Sequence, residues 1–207
     1  METPSDLNQK YNAKAGDSFK TKLNLFLYRE AKKGAIGNLS QEDFQAFNLE
    51  TEESLIHEYT ARYWQCLESD KIGSFTIREI YEAIKNWKEK SKPLIAEWKK
   101  DYIVNRFSTL YPKEAFIELL ESEKCCYCGI TTKEISELAE MEKIYKKSLR
   151  GWNLEVERKD SNREYSPSNC KMACYWCNNA KTDEFTYEEF KLVGKEIRKV
   201  WDKRKFS

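Results

Sequence analysis

The sequence lacks long apolar runs, and its first residues, Met1 to Lys10, are polar. No stretch approaches the roughly 18 apolar residues of a membrane-spanning helix, and the start has no signal-peptide pattern. These absences predict a soluble, cytoplasmic protein without a membrane partner. With 207 residues and no internal repeat, the chain has room for one sizeable core or two modest domains.

The sequence also lacks a strong net charge, because its 36 Lys and Arg residues are balanced by 35 Asp and Glu residues. Its parts differ, because residues 141–207 carry 16 basic and 11 acidic residues, whereas residues 1–140 carry 20 and 24. A basic C-terminal part favours a polyanionic partner there. In a chain with 34% charged residues, chance explains so modest an imbalance equally well.

Histidine, the side chain best suited to proton transfer near neutral pH, occurs only once. His57 lies in a predicted helix between Ile56 and Glu58, and no residue near it in the sequence resembles a catalytic partner. A structural or surface role for His57 is therefore favoured over catalysis.

Cysteine is well represented, with 7 residues. Two Cys-x-x-Cys pairs stand out: Cys125 with Cys128, and Cys174 with Cys177. Two such pairs are the usual way to place four thiolates around a structural zinc ion. Disulfides are disfavoured because the cysteines cluster and no secretion signal accompanies them. Cys126 and Cys170 flank the pairs and are expected to be small packing residues, while Cys66 lies far from both pairs.

Apolar residues at helical spacing predict an all-α domain over residues 17–123, after a disordered lead-in over residues 1–16. Capping residues mark several of its helix starts, among them Thr76 with Glu79. The first helix is expected to begin at Asp17 or Ser18.

Residues 124–207 have a different pattern. A helix is expected from Thr131 to Gly151, followed by a short alternating strand over residues 153–159 and a last helix after Thr186. Between the strand and that helix lies a polar loop with Pro167. The predicted fold class is therefore mainly α.

The strand, the loop and the second cysteine pair together resemble the HNH family of nucleases, in its zinc-stapled branch of the ββα-metal, or His-Me finger, fold. The family's first strand carries Leu-Glu-Ile-Asp-His, and the matching string here is Leu154-Glu155-Val156-Glu157-Arg158. The family's middle asparagine, which pins the loop, matches Asn169. Its last position, His or Asn on the helix after the second pair, matches Asn178. The resemblance covers only the chain from Cys125 onward.

This resemblance implies a small zinc-stapled ββα-metal domain over residues 124–207, behind the helical domain. Zinc would be structural, because sulfur fills all of its positions. Glu157 and Asn178 would hold a catalytic divalent cation, Mg²⁺ or Mn²⁺, against the scissile phosphate. The implied function is hydrolysis of DNA phosphodiester bonds, leaving 5′-phosphate and 3′-hydroxyl ends. Both residues are expected to be needed for cutting but not for folding.

Arg158 departs from the family pattern, because the family's histidine there accepts a proton from the attacking water. Arginine stays protonated and cannot act as that base. Arg158 is instead expected to clamp a phosphate, while Asp160, Glu155 or solvent at the cation supplies the base. The alternatives are a slow enzyme that a partner completes, and a domain without activity.

A second functional hypothesis is a catalytically silent zinc module that binds nucleic acid or a partner protein. Asn169 and Asn178 favour the enzyme, because a zinc staple does not require them, whereas the missing histidine favours the module. HNH proteins of this size often resemble parts of bacterial phage-defence or mobile-element systems, sometimes beside an ATPase. The resemblance thus raises antiviral defence as a hypothesis. For the helical domain the hypotheses are binding of that protein partner, binding of DNA, and dimerisation.

Overall fold

The computed structural model describes residues 4–145 and 149–206. Within these ranges the chain is mainly helical with two small antiparallel sheets, which confirms the predicted fold class. The chain divides into two compact units: residues 1–110 with 162–164, and residues 111–161 with 165–207.

The first unit consists of helices and one short hairpin. Its α-helices are α1 (Pro4–Lys32), α2 (Gln41–Ala46), α3 (Glu53–Ala61), α4 (Ile77–Lys90), α5 (Lys92–Asp101) and α6 (Ser108–Leu110). A π-helical segment, Tyr102–Phe107, joins α5 to α6, and short 3-10 turns span Ile36–Asn38, Leu49–Thr51 and Tyr63–Gln65. The hairpin pairs β1 (Lys71–Ile72) with β2 (Phe75–Thr76).

Aromatic rings fill the core of the first unit. Phe44 stacks on Trp98 with ring centroids 5.2 Å apart, and Phe26 meets Phe44 edge to face at 5.5 Å. Such ring pairs add to the burial energy of each side chain. The helix α4 begins where the capping box predicts, because the Thr76 hydroxyl accepts from the Glu79 amide and the Glu79 carboxylate accepts from the Thr76 amide.

The helix α1 begins at Pro4, whereas the sequence predicted a disordered lead-in through residue 16 and a helix start at Asp17 or Ser18. The structure differs because Tyr11 and Ala15 are buried, and the Tyr11 ring lies 5.1 Å from that of Phe107. These contacts come from residues distant in the sequence, so the local polar composition did not reveal them.

The second unit contains α7 (Lys113–Leu120), α8 (Thr132–Glu140), β3 (Glu155–Arg158), β4 (Cys170–Ala173), α9 (Tyr175–Lys181) and α10 (Tyr187–Phe206). The predicted boundary at residues 123 and 124 therefore differs from the division at residues 110 and 111. Helix α7 belongs to the second unit because it packs against β4, and the rings of Tyr111 and Phe116 meet at 5.5 Å.

Helix α8 is shorter than the sequence predicted. Its capping box at Thr131 and Glu134 is present, but the helix ends at Glu140 rather than at Gly151. Glu142 has a positive φ of 57° and the Lys143 amide donates to the Leu138 carbonyl, so the chain leaves the helical path there. Part of the predicted extension, residues 146–148, lies outside the described residues.

Strand β3 lies within the predicted strand, and it pairs antiparallel with β4, which the sequence analysis did not identify as a strand. The register sets Glu155 opposite Ala173 and Glu157 opposite Lys171. Helix α10 packs closely over the first cysteine pair. A Cβ atom on Gly194 would lie 2.7 Å from the Tyr127 carbonyl carbon, so only glycine fits there.

In the described part of the chain, no helix combines the length and the apolar character needed to cross a membrane.

Candidate functional site

The structure brings the two predicted cysteine pairs together in the core of the second unit. The sulfur atoms of Cys125, Cys128, Cys174 and Cys177 all lie within 4.8 Å of one another, and all four residues are buried. Sulfurs bound tetrahedrally at about 2.3 Å from zinc lie about 3.8 Å apart. The Sγ atoms of Cys128 and Cys174 are 3.7 Å apart. The residues therefore fit a four-sulfur metal site, with zinc as the matching ion.

Each pair is shaped by local backbone hydrogen bonds. In the first pair the Cys125 amide donates to the Ile130 carbonyl at 3.0 Å, and Gly129 takes a positive φ of 71° that closes the turn. In the second pair the Cys174 sulfur accepts from the Cys177 amide at 3.5 Å and caps α9. The turn and the helix start direct both thiols of each pair to one point.

The proximity of the thiols changes their acidity. Hydrogen bonds from neighbouring thiols, that of Cys128 first, hold the pKa of Cys125 far below its ordinary value. Hydrogen bonds with Cys125 first, and then with Cys128, raise the pKa values of Cys174 and Cys177. Four thiolates at these distances repel one another unless a cation between them balances their charge. A bound zinc ion would supply that positive charge.

The remaining cysteines lie outside this cluster, as predicted for packing residues. The Cys126 amide donates to the Met172 carbonyl at 2.8 Å, and burial raises the pKa of the Cys126 thiol. Cys170 is 1% exposed at the start of β4, and Cys66 lies in the first unit.

Asn169 fastens the loop between β3 and β4 by both ends of its side-chain amide. Its Oδ1 accepts from the Asp160 backbone amide at 3.0 Å, and its Nδ2 donates to the Asp160 carbonyl at 3.0 Å. The Lys159 amide also donates to the Asn169 carbonyl at 2.7 Å. A side chain that mimics a backbone partner in this way fixes the loop geometry.

Glu157 is buried on β3, with 6% of its surface exposed. Its Oε1 lies 3.2 Å from the Lys181 ammonium and accepts from the Tyr127 hydroxyl at 3.3 Å. Burial raises the pKa of Glu157, and the charge of Lys181 opposes that shift. Lys181, only 1% exposed, also donates to the Arg158 carbonyl at 3.3 Å. A buried charge of this kind requires its partner.

Asn178 contacts Glu155. Its Nδ2 donates to Glu155 Oε2 at 2.8 Å, which leaves the amide oxygen Oδ1 as an acceptor. Arg150 makes a bidentate contact with the same carboxylate, at 3.1 and 2.8 Å. Asn178 lies within α9, whose N-cap is Cys174.

Arg158 and Asp160 lie at the end of β3 and just beyond it. The Arg158 guanidinium carbon lies 4.7 Å from the centre of the Tyr165 ring, an arrangement that orients the planar group. Asp160 is held through its backbone by Asn169, as described above. Both side chains are partly exposed.

The oxygen atoms of Glu155, Glu157 and Asn178 are hard donors of the kind that Mg²⁺ and Mn²⁺ prefer. Arg150 pairs with Glu155, and Lys181 pairs with Glu157, whose carboxylate also feels the charge of Arg158. The donor set therefore fits a divalent cation in its chemistry, and a bound cation competes with these side chains for the carboxylates.

Sequence reasoning missed Lys181 and Tyr127 as partners of Glu157. Lys181 follows Asn178 by three positions and therefore lies on the same helical face, which was the available signal.

His57 lies on α3 in the first unit, away from the residues of this site in the sequence. On α10, Lys191 and Lys199 pair with acidic residues of the same helix, and Arg198 pairs with Glu134 of α8.

Comparisons with known proteins gave little. No protein-family model matches the chain, and no curated protein matches it. Among solved structures, the rare-cutting HNH restriction endonuclease PacI is similar, with 23% sequence identity and a TM-score of 0.39. The match covers 67% of this chain and 90% of that one. A likeness this loose carries no conclusion about individual residues.

Proposed function

We propose that this protein is a metal-dependent HNH-type endonuclease that hydrolyses DNA phosphodiester bonds. Zinc on the four cysteines would hold the domain together, and Mg²⁺ or Mn²⁺ would serve the chemistry. The expected products carry 5′-phosphate and 3′-hydroxyl ends.

A single arrangement supports this proposal most strongly. Asn178 of α9 contacts Glu155 of β3, and Lys181 of α9 contacts Glu157 of the same strand. Asn169 closes the loop between β3 and β4 on Asp160 by two side-chain hydrogen bonds. A zinc staple alone needs neither asparagine. The loop fastening matches the role that the resemblance assigns to Asn169.

In this proposal each residue has a distinct task. Glu157 and Asn178 hold the divalent cation, and Asn169 fixes the loop. When bound, the cation polarises the phosphate and stabilises charge on the leaving oxygen. Arg158 clamps a phosphate oxygen with its planar guanidinium, which its stacking on Tyr165 preorganises. Asp160 or Glu155 accepts the proton of the attacking water.

In this proposal Lys181 has a further role, which the family resemblance does not assign. Its buried ammonium keeps Glu157 compensated while no cation is bound, which limits the cost of burying that carboxylate. We expect the ion pair between Lys181 and Glu157 to weaken when the divalent ion binds.

One observation favours the second candidate, a silent zinc module that binds nucleic acid or a protein. Both acidic side chains already have basic partners, Arg150 and Lys181, and arginine stands at the position of the family's histidine. Under this hypothesis the ion pairs are structural, and the oxygen cluster binds no divalent cation.

A plasmid assay separates the two. Zinc-loaded protein is incubated with supercoiled plasmid and Mg²⁺ or Mn²⁺, with and without EDTA, and the ends are tested for ligation. The nuclease predicts metal-dependent nicked or linear DNA with ends that ligase rejoins. Absence of cutting with either ion, on single- and double-stranded DNA and with any co-expressed partner, supports the silent module.

The wider role follows only from the resemblance. We propose that the protein acts as an effector of a bacterial phage-defence or mobile-element system in the cytoplasm, with the helical unit binding an ATPase or another protein. Expression in a phage-sensitive bacterium, with and without its neighbouring genes, tests this: plaque counts that fall only with intact Asn178 support it, and unchanged counts contradict it.

A further inference from the structure

The loop that connects β3 to β4 has a tip that belongs to the helical unit. The chain leaves the second unit after Ser161, residues 162–164 form part of the first unit, and the chain returns at Tyr165. Asp160 thus precedes the tip by two residues, and Tyr165, on which Arg158 stacks, follows it directly.

Glu164 anchors this tip within the helical unit. Its Oε1 accepts from the Tyr102 hydroxyl at 2.5 Å, and its Oε2 lies 3.8 Å from the guanidinium of Arg106. The Tyr102 hydroxyl also lies 3.0 Å from Ser18 Oγ on α1. Beside Glu164, Arg163 forms an ion pair with Glu53 of α3.

The contact that anchors Glu164 to Tyr102 is buried, and this burial strengthens it. Glu164 is 6% exposed, Tyr102 is 2% exposed and Ser18 is inaccessible. Burial and then the charge of Glu164 raise the pKa of Tyr102, so the hydroxyl remains a donor. Removing one partner from such a buried, charge-assisted contact is costly, since the other loses its compensation.

We propose that Glu164 is a positioning residue through which the helical unit holds the loop that carries Asp160 and Tyr165. The contact with Tyr102 fixes one end of a short span, and the Asn169 contacts fix the other. Movement of α1 or of the segment Tyr102–Phe107 would then change the order of this loop. The consequence for cleavage rests on the proposed function, but the loop order itself does not.

Hydrogen exchange of the zinc-loaded full chain tests the coupling without requiring activity. The readout is the exchange rate of the Lys159 and Asp160 amides, which donate to Asn169. Tyr102→Phe should accelerate that exchange about tenfold or more, because the loop opens more often once its anchor is lost. Zinc content should stay unchanged.

Matched variants separate coupling from general destabilisation. Tyr28→Phe removes a comparable tyrosine–glutamate hydrogen bond in the same unit, from the buried Tyr28 to the partly exposed Glu58 at 2.7 Å, and should leave the loop amides unchanged. Glu164→Gln keeps an acceptor for Tyr102 and should preserve most of the protection, whereas Glu164→Ala should lose it.

Equal exchange in Tyr102→Phe and wild type overturns the proposal, and so does equal acceleration in Tyr102→Phe and Tyr28→Phe. Cleavage provides a separate arm: Tyr102→Phe should lower the turnover rate with DNA affinity kept. If wild type never cleaves DNA, the proposed function fails while the exchange result still decides the role of Glu164.

Discussion

The carboxylate of Glu157 and the ammonium of Lys181 are both buried, and each neutralises the other. This pairing changes the expectation, drawn from sequence alone, that Glu157 is dispensable for folding. Glu157→Ala leaves the Lys181 charge buried without its carboxylate, and breaking such a pair costs about 3 kcal/mol or more. We predict that Glu157→Ala lowers the urea midpoint of the zinc-loaded protein and abolishes cleavage.

A double variant separates these two effects. Glu157→Ala combined with Lys181→Met removes both charges, so stability should largely return, while cleavage should stay absent because the oxygen ligand is missing. Urea unfolding and plasmid cleavage on the same samples check this. Cleavage by the double variant at the wild-type rate would show that the carboxylate has no catalytic role.

Arg158 and Asp160 should affect different steps. Arg158→Ala removes a charged bidentate donor, so we predict lost cleavage and about tenfold weaker DNA binding, measured by fluorescence anisotropy in EDTA. Arg158→Lys keeps the charge without the planar fork and should recover part of the binding only. Asp160→Ala should lower turnover with binding kept. Wild-type cleavage by Arg158→Ala contradicts the clamp.

At this scale the sequence predicted the cysteine cluster but not the partners of Glu157 and Asn178. The cysteine spacing predicted the four-sulfur cluster, because two short turns leave few ways to arrange the thiols. The pairing of Asn178 with Glu155, and of Glu157 with Lys181, depends on the rotation of α9 against β3. Residue spacing alone does not fix that rotation.

Among the elements, we expect the two cysteine turns and α9 to depend most on a bound ion. We predict that Cys174→Ser loses zinc and unfolds much of the second unit, because structural zinc contributes about 10 kcal/mol or more of apparent binding free energy. The helical signal of the first unit should persist. Metal analysis and circular dichroism measure both effects.

Cys126→Ser is the matched control, since this cysteine adjoins a cluster residue without belonging to the cluster. It should retain one zinc per chain. Zinc retained in Cys174→Ser, or no zinc in wild type, is incompatible with the assigned ligands.

Helices α8 and α10 are joined by Glu134. Its carboxylate accepts from the Arg198 guanidinium at 2.9 and 2.8 Å and from Lys205 at 2.6 Å, and Arg198 foremost holds its pKa well below the ordinary value. We predict that Glu134→Gln lowers the free energy of unfolding by about 2 kcal/mol. Glu188→Gln, which affects an exposed pair within α10, should have almost no effect. Equal losses in the two variants contradict a joining role for Glu134.

Elements with local start signals were the ones that the sequence predicted well. The boxes at Thr76 and Thr131 need only residues three positions apart, and both are present. Strand β4 has only four residues, and their composition gives no clear strand pattern. The strand forms because it pairs with β3. The early start of α1 likewise depends on distant rings.

At the scale of the whole molecule, the chain divides into a helical unit and a cysteine-centred unit after residue 110, whereas the sequence predicted a boundary between residues 123 and 124. The inclusion of residues 162–164 in the helical unit was not predictable from the sequence. It depends on a contact between Glu164 and Tyr102, 62 positions apart, which no local pattern encodes.

Our central proposal is that Glu157 and Asn178 hold a divalent cation and thereby give the protein metal-dependent nuclease activity. Asn178 tests it best, because its amide is only partly buried and its loss leaves no charge uncompensated. Asn179 is the matched control, an exposed neighbour on α9 whose amide donates to the Tyr175 carbonyl.

The measurement is the initial rate of plasmid cleavage in Mn²⁺ or Mg²⁺ by wild type, Asn178→Ala and Asn179→Ala, each with its zinc content verified. We predict that wild type and Asn179→Ala cut at similar rates that EDTA abolishes. Asn178→Ala should fall by about a hundredfold or more with its thermal stability nearly unchanged. Equal cutting by Asn178→Ala and Asn179→Ala would contradict the account.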